Sequence, residues 1–148
     1  MRSATVFVCG VMAFFATVTT LTLSAWCAGP DWMLLDESRD SRFYYDRGST
    51  NSPSKGIFRV STRVVYTEEG KKEALKILAT ARNFGKLFES RYLHDLDCRN
   101  EKSRLLKVTH LDENGAILKS TELASFTEWE EIPPDARMGQ VAEKVCTP

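Results

Sequence analysis

Histidine is nearly missing from this chain: His94 and His110 are the only two. No other side chain titrates near neutrality without help, so a site built on several imidazoles is excluded. An excess of charge of either sign is missing as well, since 20 lysines and arginines face 20 acids. A nucleic-acid binder gathers a basic excess on one face, whereas the basic residues here are dispersed. Glycine and proline are few, eight and five in 148 residues, and neither a Gly-rich phosphate loop nor a nucleophile-elbow motif occurs. No cofactor and no metal centre is implied. Aromatic and β-branched residues are frequent, which confines expected disorder to the polar stretch Arg47 to Lys55.

What is present begins with a leader. Residues Met1 to Ala28 carry one charge, Arg2, and then the apolar run Val6 to Ala16. A basic start, an apolar middle and small residues at the end form a signal-peptide pattern. A membrane anchor is the competing reading, since about twenty such residues span a bilayer. Thr17, Thr19, Thr20, Thr22 and Ser24 dilute the second half, and no positive cluster follows to stop transfer. Export with removal of residues 1–28 is therefore expected, leaving 29–148 as one domain without a membrane span. Leu23-Ser24-Ala25-Trp26-Cys27 brushes against a lipoprotein signal, but the bulky Trp26 before Cys27 argues against lipidation.

Cysteine is scarce beyond that leader: Cys98 and Cys146 alone remain. Two cysteines in an exported chain most simply pair with each other. Closing a loop of about 48 residues stabilises a fold by roughly 4 kcal/mol in the chain-entropy model. The alternatives are two free thiols or a metal site, and the latter would have to draw on His94 and His110.

Along the mature chain, Trp32-Met33-Leu34-Leu35 and Phe43-Tyr44-Tyr45 read as two short strands, with a loop from Gly48 to Gly56 after them. Ile57 to Thr67 is the clearest strand. Phe58, Val60, Thr62, Val64 and Tyr66 share one face and Arg59, Ser61 and Arg63 the other, so the Phe58 side is expected inside. Thr67-Glu68-Glu69 starts a helix with Thr67 as N-cap, and Ala74, Ile77, Leu78, Ala81 and Phe84 form its apolar stripe before Gly85. This helix is expected to lie on the sheet. Further strands follow at Glu89 to Cys98, Arg104 to Leu111 and Ala116 to Ser120. Asn114-Gly115 marks a hairpin between the last two, because both residues tolerate positive φ. Trp129 to Ile132 is a short extended piece halted by Pro133-Pro134, and Met138, Val141, Ala142 and Val145 stripe a terminal helix. The expected product is one α+β domain, an antiparallel sheet of about six strands with the central helix packed on it and a short C-terminal helix.

His94, with Asp95 and Asp97 nearby, invites an acid–base or metal reading, but adjacent strand residues point to opposite faces. His94 and His110 are thus weak ligand candidates, each more simply a surface histidine. Asp112-x-Asn114-Gly115 resembles a calcium loop only superficially, since the later ligands are missing. Trp32, Phe43, Tyr44, Tyr45, Phe58 and Tyr66 fill a core by default or line a cleft. Arg59 and Arg63 mark a solvated strand face or a partner surface.

In order, the punctuation resembles the surface-adhesin protein E family of Gram-negative bacteria. The matching features are Trp32, Tyr44-Tyr45-Asp46, the Gly56-to-Thr67 strand, Asp97-Cys98 and Arg104-Leu105-Leu106. The Asp112-to-Gly115 turn, Trp129-x-x-Ile132-Pro133 and the helix closing on Cys146 complete the series. The resemblance implies a curved, half-barrel-like sheet with a Cys98–Cys146 disulfide. It also implies a periplasmic or outer-surface location and a family whose namesake binds host proteins, binds haem and dimerises. The chain departs from the pattern at Trp26, before Cys27, and at Ser61-Thr62. The expected function is a non-enzymatic envelope or surface domain that binds a protein or envelope partner, with a homodimer as its oligomer. The alternative is a periplasmic haem-type binding module using His94 or His110.

Overall fold

A computed structural model describes residues 29–78 and 84–147. The leader, with the question of Cys27, lies outside the described residues, as does Ala81. Eight antiparallel strands make one open sheet. They are β1 (Trp32–Glu37), β2 (Ser41–Asp46), β3 (Asn51–Ser54), β4 (Ile57–Tyr66), β5 (Glu89–Asp97), β6 (Lys102–Leu111), β7 (Ile117–Glu122) and β8 (Glu130–Glu131). The main path runs β1-β2-β4-β5-β6-β7, with β3 beside β4 and β8 beside β6. Among the described residues two α-helices, α1 (Glu68–Leu78) and α2 (Arg137–Val145), accompany the sheet. The six expected strands form that path.

The expected loop 48–56 is corrected in part. Its second half pairs as β3, a short edge strand that tolerates Pro53, and turns into β4 through Gly56 at φ 82°. The expected hairpin after β6 forms, through a turn longer than the two residues Asn114-Gly115. Gly115 alone takes positive φ (79°), while the Asp112 carboxylate accepts from the amides of Asn114 and Ala116 at 2.9 and 2.8 Å. An irregularity at Leu111 absorbs the longer loop.

Alternation along β4 sorts the sheet as expected. Val60 and Thr62 are fully buried, and Phe43, Tyr45, Val60, Leu96 and Val141 form the core cluster. Val141 belongs to α2, and Met138 and Val145 pack beside it. The helix covering this core is therefore the C-terminal one. Helix α1 starts as predicted, with Thr67 Oγ1 accepting from the Gly70 amide at 3.2 Å. It touches the β1–β2 turn at Glu69, which Arg39 grips at 2.7 Å with both ends of its fork, and at Gly70, where a Cβ would stand 1.9 Å from the Asp40 carbonyl oxygen. Ile77, expected to face the sheet, is 86% exposed. Phe84 does pack inward, from a short 3₁₀ turn after the helix.

Helix α2 is fastened at both ends. At its start, Arg137 donates to Asp36 (2.9 Å) and Ser41 (3.0 Å) and lies over the Phe43 ring. At its end, Cys146 is bonded to Cys98, just past β5. Between them, Gly139 lets the helix touch the Pro133-Pro134 backbone: a Cβ there would lie 2.5 Å from the Pro134 oxygen. Gly139→Ala is expected to destabilise the domain by about 1–3 kcal/mol through overpacking, read as a lower urea midpoint at unchanged slope. Cys146→Ser is expected to cost about 4 kcal/mol or less in the same titration.

Candidate functional site

The register fixes what stands on the sheet face opposite α2. Across β4, β5 and β6, the rows Arg59–Asp95–Arg104, Ser61–Leu93–Lys107 and Arg63–Arg91–Thr109 succeed one another. Tyr44 of β2 lies opposite Arg63, and Leu34 of β1 opposite Tyr44. Directly opposed residues share a face, so arginines, aromatics and two acids are collected here.

The two acids are deeply covered, with the side chains of Asp95 and Glu89 each 5% exposed. Each is served by two arginines. Arg59 grips Asp95 with both ends of its fork, at 2.8 and 3.0 Å, and the hydrogen bond raises the Arg59 pKa above its ordinary value. Arg104 reaches the same carboxylate only at 3.6 Å and instead stacks over Trp129, 5.1 Å from the ring centre. Arg91 holds Glu89 at 2.6 Å, while Arg63 approaches that acid only to 3.5 Å. Arg63 lies between rings, 4.5 Å from Tyr44 and 4.9 Å from Trp32. Each carboxylate thus has one close arginine, and a second is held mainly by aromatic stacking. An open cleft of about 330 Å³ lies among these groups, lined by Trp32, Ser61, Leu93, Arg91 and Lys107.

Both histidines sit on the other face, and neither is the surface group expected. His110 is 7% exposed, edge-on to Phe84, with its Nδ1 2.7 Å from Ser90 Oγ. Tyr66 donates to Ser90 at 3.0 Å, completing a chain of three polar groups. His94 stands opposite Val60 and Leu105, beside Tyr92, with its Nδ1 buried. Burial pushes its pKa down to about 4, against the weaker opposing pull of Asp95. Burial also lowers the pKa of His110 and raises that of Tyr92. The two imidazoles are not brought together: Ser90 pairs with His110, and His94 lies four residues further along β5. Ser90 beside His110 is the nucleophile–base contact that the sequence did not reveal. Ser90 is fully buried, however, so no substrate reaches its hydroxyl. Among the described residues, no group of three or more His, Cys, Asp or Glu is placed to hold a metal ion.

The fold from Trp32, which opens β1, to the cysteine that closes α2 falls within one family model. The model for surface-adhesin protein E matches residues 32–147. The chain belongs to the surface-adhesin protein E family. No curated protein matches it. The protein E family name points to a surface, adhesin-like role and to a protein or surface partner. Among the described residues no helix is long and apolar enough to cross a membrane.

Arg59 and Arg63 stand out in sequence as one strand face, Arg104 and Trp129 only as features of the family resemblance, and Arg91 not at all. The six expected core aromatics also divide. Phe43 and Tyr45 are in the core and Phe58 packs on it, whereas Trp32 and Tyr44 lie under Arg63 on the open face and Tyr66 bonds Ser90.

The histidines generate a pH prediction. The folded state prefers a neutral His94, so below the ordinary pKa of 6.5 the unfolded chain binds more protons. Stability is therefore complete above about pH 6.5 and falls as pH drops toward about 4, by up to about 3 kcal/mol from His94, with His110 adding in the same direction. Urea titrations at about pH 5 and about pH 7 should show this slope, and His94→Gln should flatten it.

Proposed function

We propose that this chain is exported and acts as a non-enzymatic binding domain at the cell envelope, recognising a protein or envelope partner with the sheet face opposite α2. Residues 1–28 serve as the signal peptide, and 29–148 as the mature domain. One observation carries the reading. With α2 fastened over one face, the other presents half-buried tryptophan, tyrosine and arginine around a cleft. Those residue types dominate the energetics of protein interfaces. The buried Ser90–His110 contact gives no support to a hydrolase. Nor does the separation of His94 from His110 favour a haem-type module.

Cell fractionation with mass-spectrometric mapping of the mature N-terminus tests the proposal. The expected result is a chain beginning near Gly29 in the periplasmic, envelope or released fraction, with Cys98 and Cys146 protected from alkylation. An uncut polypeptide in the cytosol with both thiols alkylatable would overturn it.

A further inference from the structure

The ratio of arginine to acid on the open face says more about the partner. Asp95 and Glu89 each receive one close arginine, Arg59 and Arg91. Arg104 and Arg63 are left at 3.6 and 3.5 Å, and their Nε atoms are buried without a hydrogen-bond partner. Their side chains as a whole keep some access to solvent, 31% and 23% exposed. Stacking on Trp129, and on Trp32 and Tyr44, holds them in place, and beyond the long contacts to Glu89 and Asp95 no carboxylate neutralises them. Lys107 is not a third spare cation, since Glu122 pairs with it at 2.6 Å. Nor is Asp46 at the cleft rim a spare acid, because its carboxylate accepts from the Asp31 and Gly48 amides.

Arg63 and Arg104 lie two strands and four residue steps apart, roughly 16 Å by strand geometry. Ser61 and Leu93, which line the cleft together with Trp32, occupy the row between theirs. We infer that this face takes an extended acidic polypeptide segment, with two carboxylates four residues apart and an apolar side chain midway, so that all three point to the same side; the chain spans about 13 Å and the flexible glutamate and arginine side chains cover the rest. The carboxylates meet Arg63 and Arg104, and the apolar side chain enters the cleft. A sulfated polysaccharide or a nucleic-acid strand would match the cations but offer no apolar side chain to a cleft lined by Leu93 and Trp32. This inference rests on the open face being the binding face.

The test uses the purified mature domain and a synthetic extended peptide with two glutamates at that spacing and one central leucine, followed by fluorescence anisotropy. The comparison probes are the same peptide with serine in place of leucine, a heparin-type polysaccharide, and single-stranded DNA. The expected result is saturable, salt-sensitive binding of the leucine peptide, at least tenfold tighter than the serine peptide. Arg63→Gln with Arg104→Gln should weaken it about tenfold or more, a factor worth about 1.4 kcal/mol. Leu93→Ser should weaken it while circular dichroism and the urea midpoint certify the fold. If Leu93→Ser fails to fold, Ser61→Gln, which puts a larger neutral group on the same cleft lining, replaces it. Equal binding of the two peptides, preference for the polysaccharide or DNA, or an affinity unmoved by the arginine variants would each overturn the inference. None of these outcomes alters the fractionation result, so the two proposals fail separately.

Discussion

Helix α2 has nine residues, too few to stay helical alone in water, so its shape depends on what it is fastened to. Arg137 ties its first turn to Asp36 and Ser41, and the disulfide ties its last residue to the end of β5. Those two anchors press Val141 into the centre of the core, where it is completely buried. Burying a valine of this kind stabilises by about 1.5–3 kcal/mol, enough to matter in a domain of ordinary marginal stability. The disulfide adds to this mainly by restricting the unfolded chain. Because α2 takes one face, the polar groups on the other are left to satisfy one another.

They do so unevenly. Burying a carboxylate costs several kcal/mol unless it is paired and hydrogen-bonded, and Arg59 and Arg91 supply that pairing for Asp95 and Glu89. These inner pairs belong to the fold. The outer arginines contribute less, because their longer ion-pair distances and partial exposure weaken the attraction. One ladder of side chains therefore contains two tiers, one that holds the sheet face together and one that is positioned but not consumed.

The sequence shows alternation and caps well, because both are local. The Phe58 side of β4, the Thr67 cap and the terminal stripe through Val141 are all read from neighbours within a few residues. Which helix would cover the core was not local. Helix α1 carries an apolar stripe too, yet Ile77 points to solvent, while the decisive Gly139 looks in sequence like an ordinary weakness in a helix. The open face was half legible. Arg59 and Arg63 share a strand, but Arg104 joins them only through the pairing of β5 with β6. That pairing slips by one residue between Leu93 and His94. No single-strand pattern reveals such a slip, and the same slip sets where Leu105 stands relative to His94.

The contrast between the two faces bears on the binding role proposed for the open one. The Ser90–His110 contact lies on the closed side, against Phe84 and Tyr66. Catalysis at that pair requires a reactive atom that a substrate can approach, and the burial of Ser90 denies that there. Binding requires groups whose geometry is fixed before the partner arrives, so that little side-chain freedom is lost on contact. Arg63 between two rings and Arg104 against Trp129 meet that requirement. Their rotamers are restrained by stacking during folding, while their charge is left largely uncommitted. A sheet whose far side is sealed by a fastened helix can carry such residues without exposing its core.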